Sequence, residues 1–189
     1  MSKEKISALA FRFRGGVWTL FFLLVLFFIR RRTPAPTMGL IAVALGQGIR
    51  FWAAGSIGQY RGEIVGAAEL VTWGPYAFAR NPLYLGNALI GVGWCALSGN
   101  PKAFLLFFVV FMILYVTLVI PYEENYLKRL FPDDFARYSD RVGRFFPLRT
   151  PTLADLSGPF DWGVLWKSER HSLWVTLIGT LLLYSRRWW

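Results

Sequence analysis

Pro101-Lys102-Ala103-Phe104-Leu105-Leu106-Phe107-Phe108-Val109-Val110-Phe111-Met112-Ile113-Leu114-Tyr115-Val116-Thr117-Leu118-Val119-Ile120-Pro121-Tyr122-Glu123-Glu124 is the stretch that decides the fold. From Ala103 to Ile120 no side chain carries a charge. At roughly 1.5 Å per helical residue this run matches the ~30 Å apolar core of a bilayer. Asn100-Pro101 is a helix-start signal, and Pro121 predicts that the span closes there. Two adjacent acids directly after such a run are costly unless they face an aqueous or protein-lined pocket.

Other apolar runs flank this one. Residues 16–29 form a short run that arginines on both sides can lengthen by snorkelling. Residues 38–58 form a second, interrupted by Gln47 and Arg50, and residues 83–98 a third. Small residues in the second and third (Gly46, Gly48, Gly86, Gly91, Gly93) predict close helix–helix approach. A last run, 172–185, suits either a tilted fifth span or a re-entrant segment. The expected fold is an all-α membrane protein: one domain over residues 1–189, a bundle of four to five spans.

Composition agrees. Of 189 residues, 55% are hydrophobic and 18% aromatic, more than one small soluble core can bury. The net charge of +10 is not a nucleic-acid footprint, because the basic residues flank apolar spans where anionic headgroups lie. Arg30-Arg31-Arg32 and the terminal Arg186-Arg187-Trp188-Trp189 are examples. Cys95 is the only cysteine and His171 the only histidine, which argues against zinc sites and His-based triads. Cys95 reads as a packing thiol.

Two polar segments remain, 59–82 and 121–149. The second holds Lys128, Arg129, Arg137, Arg141, Arg144 and Arg149, so it is expected on the cytoplasmic side. Counting back through two spans puts 59–82 and the N-terminus there too. Arg30 to Arg32 then violate the positive-inside rule, a single exception. Asp133 is expected to cap a short helix that carries Phe135, Tyr138 and Val142 on one face.

The first segment reads Leu70-Val71-Thr72-Trp73-Gly74-Pro75-Tyr76-Ala77-Phe78-Ala79-Arg80-Asn81-Pro82-Leu83-Tyr84-Leu85-Gly86. The second contains Glu123-Glu124 and ends on Val142-Gly143-Arg144-Phe145-Phe146-Pro147. In order and spacing, these elements resemble the signatures of the isoprenylcysteine carboxyl methyltransferase family and its phospholipid methyltransferase relatives. Over about residues 40–148, Gly74-Pro75-Tyr76, Arg80-Asn81-Pro82-Leu83-Tyr84-Leu85-Gly86, the acid pair and the Val142–Pro147 close correspond. Asn81 stands where the family usually has histidine. Asparagine hydrogen-bonds but does not titrate.

The resemblance implies S-adenosylmethionine bound at the cytosolic face and a lipophilic substrate entering from the bilayer. The residues themselves fit that cofactor: Glu123 or Glu124 for its ammonium, Arg80 or Arg144 for its carboxylate, Tyr76 and Tyr84 for adenine or sulfonium. Pro82 would start the third span and leave first-turn amides facing the cofactor. Thr72, Gly74, Asn81 and Gly86 complete the expected cofactor set. Arg50, Glu123 and Glu124 are the expected catalytic residues, Arg50 through a polar contact toward the reaction centre. No metal is expected.

Duller readings accompany each. Glu124 and Lys128 have the spacing of a surface pair, the arginines suit headgroup anchoring, and the tyrosines suit an interfacial belt. Two other functions remain open, an NADPH-dependent membrane reductase of the sterol or steroid type and a non-catalytic scaffold.

Overall fold

The computed structural model describes residues 3–27, 36–58 and 67–185. Arg30 to Arg32, residues 59–66 and Trp188-Trp189 lie outside the described residues. The chain is an all-α membrane protein, with helices α1 (Lys3–Phe27), α2 (Pro36–Gly55) and α3 (Pro82–Ser98). Then come α4 (Pro101–Leu130), α5 (Pro132–Ser139), α6 (Leu153–Leu156) and α7 (Trp162–Ser185). A single 3₁₀ turn, Gly74–Ala77, precedes α3. Glu4–Phe27, Pro36–Gly55 and Pro101–Leu130 are long and apolar enough to cross a bilayer, and α3 is a shorter apolar helix.

Three expected boundaries change. The first span begins at Lys3, well before residue 16, because Lys5, Ala8, Leu9 and Ala10 are helix formers and Glu4 suits the first turn. The last helix is twenty-four residues long, because the charged turn around Glu169 continues the apolar run at 172–185. Most consequentially, Pro121 does not end the fourth span. Residues Met112–Val119 wind as wider π-type turns, and the amide of Ile120 donates to the Tyr115 carbonyl five residues back. A proline lacks the amide proton and crowds the carbonyl four residues earlier, so a wider turn just before it lets the helix continue. Glu123 and Glu124 therefore sit inside a helix.

Helices α2 and α3 run antiparallel at very close approach. A Cβ added to Gly46 would lie 2.7 Å from the Gly86 carbonyl, and one on Gly93 2.7 Å from the Gly39 carbonyl. The glycines recur seven residues apart, two turns, so the same face is small along the crossing. Gly99 (φ 64°) ends α3 in the left-handed region, and the Asn100 side chain caps α4 by accepting from the Lys102 amide at 3.0 Å. The core joins α1, α2, α3, α4 and α7 through Phe21, Val25, Val43, Trp94, Phe107 and Leu183, with Cys95 fully buried among them.

Phe135, Tyr138 and Val142 are buried on one face, as expected, and pack on Leu70 and Leu127. The cap differs: Pro132 occupies the first turn, Phe131 is the cap residue without a side-chain bond, and Asp133 lies within the turn. Residues on both signature segments meet at one end of the bundle, where Arg80 N donates to Gly143 O at 2.9 Å. The N-terminal end of α1 is there too: Arg129 and Glu4 pair at 3.5 Å.

Candidate active site

Glu124 organises this end of the bundle. Its Oε1 accepts from Arg80 Nε and Asn81 Nδ2, both at 3.1 Å, and its Oε2 from Arg144 Nε at 3.0 Å. Glu124 is buried, whereas Arg144 is 42% exposed at the rim. The surface-pair reading with Lys128 is thereby overturned. A carboxylate taken from water needs its lone pairs filled, and three donors from two segments fill them.

The arginine is anchored independently. Arg80 Nη1 donates to the Val142 carbonyl at 2.9 Å and to that of Ser139 at 3.3 Å. Asn81 N donates to Arg144 O at 3.2 Å, and Tyr138 Oη to the Tyr76 carbonyl at 2.7 Å. Gly74 takes φ 61°, where a Cβ would crowd Ser56 and Trp52, so glycine is needed for the turn that brings Tyr76 in.

Tyr76, Arg80, Asn81, Pro82, Tyr84, Glu123 and Glu124 all line one cavity, together with Leu70, Leu127, Phe135 and Tyr138. Glu123 is buried and accepts a hydrogen bond from the Tyr84 hydroxyl. Thr72 is exposed and lines a neighbouring open groove of about 610 Å³, which shares Leu70 and Tyr138 with the cavity. Gly86 faces α2, packed against Gly46 and Arg50, rather than the cavity.

Arg50 belongs to a second polar centre. Its Nη2 and Nε grip Glu169 of α7 at 2.6 and 2.9 Å, and Gln47 Nε2 reaches the same carboxylate at 3.4 Å. Arg50 Nη1 also donates to Asn87 Oδ1, and Asn87 Nδ2 to the Tyr115 hydroxyl at 3.3 Å. The Tyr115 ring lies 4.7 Å from that of Tyr84, which joins the two centres.

Sequence reading missed Glu169, Asn87, Tyr115, Leu70 and Tyr138. A signal for Glu169 existed. An arginine inside an apolar span calls for an acid, and the chain has only eleven acidic residues to supply one.

Residues 35–134 match the phospholipid methyltransferase family, more than half of the chain. This chain belongs to that family. The matched stretch contains α2, α3, the whole of α4 and the start of α5, hence Arg80, Asn81, Glu123 and Glu124, but neither α1 nor α7. The chain is 33% identical over 111 residues to the cobalt-zinc-cadmium resistance protein CzcN of Cupriavidus metallidurans, covering 59% of this chain and 48% of that one. It is 34% identical over 117 residues to the protein-S-isoprenylcysteine O-methyltransferase of Schizosaccharomyces pombe, covering 59% and 49%. To protein-S-isoprenylcysteine O-methyltransferase B of Arabidopsis thaliana it is 38% identical over 74 residues, covering 39% and 37%. The chain thus spans about half the length or less of these relatives. No solved structure matches it. Among the described residues no group of three or more His, Cys, Asp or Glu side chains could hold a metal.

Proposed function

We propose that this protein transfers a methyl group from S-adenosylmethionine to a lipophilic, membrane-associated acceptor, with the signature end of the bundle facing the cytoplasm. The observation that carries this reading is the buried Glu123 in a cavity built from both family signatures, beside Tyr84 and Tyr76. The donor set fits the cofactor. Glu123 supplies a carboxylate for its ammonium, and the two tyrosines supply aromatic faces for a cationic sulfur or for adenine.

Size fits once cavity and groove are taken together. The cavity alone is about 30 Å³. Through Leu70 and Tyr138 it adjoins the groove of about 610 Å³, within the roughly 300–1,000 Å³ typical of pockets for such molecules. Glu124 and Arg80 are held by one another and by the Val142 and Ser139 carbonyls, so their part is to hold the two segments together, while Arg144, bonded to Glu124 through Nε, keeps donors exposed at the rim for a carboxylate. Arg50 is turned toward Glu169 and Asn87 and serves the site through Tyr115.

When bound, the cofactor supplies an electrophilic methyl carbon. The chain's residues need only align an acceptor with it and keep water out, which suits a site lined by Leu70, Leu127 and Phe135. The acceptor's lone pair forms the new bond while the carbon–sulfur bond breaks onto sulfur. Neither a redox partner nor a metal is required.

Calorimetry on the purified chain in detergent tests this. S-adenosylmethionine and S-adenosylhomocysteine are expected to bind and NADPH not to. The opposite preference would favour a reductase, and silence from all three a scaffold.

A further inference from the structure

The signature end of the bundle carries large apolar side chains that the described residues leave uncovered. Phe146 is 74% exposed, Leu153 85% and Trp162 75%, and Leu148, Phe160 and Trp166 are exposed among them. All lie beyond the family-matched stretch. We propose that residues 145–166 form a collar seated in the boundary between headgroups and acyl chains of the leaflet at that end, not a loop in water. The proposal does not rest on the methyl-transfer reading.

Depth carries the inference, because the collar is fixed to spans at two places. Near its start the Phe145 ring lies 6.2 Å from that of Phe111, midway along the uncharged run Ala103–Ile120, and packs on the cluster that holds Leu114 and Val119. Phe146 beside it is therefore exposed within reach of the acyl chains. Further on, Asp161 N donates to the Gly55 carbonyl at 2.8 Å, where the α2 span finishes. The Phe160 ring covers that glycine, since a Cβ on Gly55 would lie 2.2 Å from the Phe160 Cζ. Trp162 follows directly, and Trp166 sits about one turn on, on the same face of α7. Lys167 and Arg170 are exposed close by, the mixture of aromatic rings and cations found at membrane surfaces.

The backbone suits that depth. Irregular chain near lipid needs its polar groups paired. Gly143 N donates to Phe146 O at 2.9 Å and Leu148 N to Arg141 O at 3.1 Å, while Pro147, Pro151 and Pro159 have no amide to satisfy. Between the two anchors, α6 has unlike faces. Thr150, Pro151 and Asp155 line the groove, and Leu153, two residues from Asp155, is turned about 200° from it around the helix. Helix α6 is then a partition, with the groove on one side and lipid on the other. Left in water, so much contiguous apolar surface would be an aggregation liability, and the leaflet removes it.

Spin labels test the depth. Phe146→Cys, Leu153→Cys, Trp162→Cys and Thr150→Cys are made one at a time in the full chain, labelled, and reconstituted in vesicles of phosphatidylcholine and phosphatidylglycerol. Cys95 is buried, and the unaltered chain supplies the background. Power saturation then compares collisions with oxygen, which partitions into lipid, and with a nickel chelate, which stays in water. Oxygen is expected to exceed nickel severalfold at positions 146, 153 and 162, and nickel to exceed oxygen at position 150 in the groove. Nickel prevailing at the first three would put the collar in water and overturn the proposal. Exclusion of both reagents there would reveal a protein cover, such as a second copy of the chain, and would overturn it equally. The same ordering at 150 as at 153 would overturn the partition.

Discussion

The two polar centres of this bundle are built on different plans. Around Glu124 the partners come from two segments that also pair through their backbones, and Arg80 keeps the Val142 and Ser139 carbonyls whatever happens to the acid. Around Arg50 everything is side chain to side chain, on four separate helices, and one acid on α7 holds the charge. The first centre is redundant and lies almost wholly among signature residues. The second depends on a helix beyond the matched stretch. Redundancy of acceptors, rather than burial alone, should then decide which loss the protein tolerates.

The sharpest way to break this contrast is Glu169→Gln. It leaves Arg50, only 14% exposed, without a counter-charge, its acceptors reduced to Asn87 Oδ1 and the single amide oxygen of the new side chain. Removing one partner of a buried ion pair costs roughly 3–5 kcal/mol. A large fall in Tm is expected, with the folded fraction still binding S-adenosylhomocysteine, and Glu169→Asp should recover part of the loss. An unchanged Tm would show that α7 is not tied to the bundle through this acid.

Glu124→Gln should destabilise less, toward the lower end of that same rough 3–5 kcal/mol range, because Arg80 retains its backbone carbonyls and Arg144 is half in solvent. Its second effect should be specific: cofactor binding weakens as Arg80 and Arg144 lose the carboxylate they share, although the backbone pairing of the two segments persists. If Glu124→Gln proves the more destabilising of the two in thermal unfolding, the redundancy explanation is wrong.

Glu123→Gln sharpens the contrast within the acid pair. Gln can still accept the Tyr84 hydrogen bond, so Tm should stay near that of the parent. Losing the charge should weaken cofactor binding about tenfold, near 1.4 kcal/mol. Calorimetry showing parental affinity would remove Glu123 from the site.

The smallest effect belongs outside both centres. Thr152 and Asp155 form a capping box on α6, with Thr152 N donating to Asp155 Oδ2 at 2.8 Å. Bonds from the Thr152 backbone and side chain hold the Asp155 pKa below its ordinary value. A depressed carboxyl pKa stabilises above the unfolded value and loses that contribution as pH falls through the folded one. Thr152→Ala should therefore speed amide exchange at residues 153–156 at neutral pH, and the difference from the parent should vanish in acid. Tm should not move.

Much of this molecule is legible without coordinates. The uncharged run from Ala103 to Ile120 requires a bilayer, because no other solvent accepts it. The glycines at 46, 86 and 93 announce a close crossing, and the order of Arg80-Asn81-Pro82, Glu123-Glu124 and Val142 to Pro147 marks the end where the segments meet. These features are local, set by side-chain chemistry and helical period.

What remained hidden is long-range. Sequence makes Glu123 and Glu124 look alike, yet they face about 100° apart on the helix by its roughly 3.6-residue period. Only packing turns Glu124 to two arginines and Glu123 to Tyr84. Pro121 reads as a stop until the wider turns of Met112–Val119 carry the helix past it. Arg50 asks for a counter-charge, but which of eleven acids answers depends on how α7 lies against α2, 119 residues away in the chain. The sequence by itself determined the solvent, the helices and the signature residues, since each follows from local composition. The tertiary structure alone decided which charges neutralise one another and which line a cavity, since pairing depends on distances between helices that no local pattern encodes.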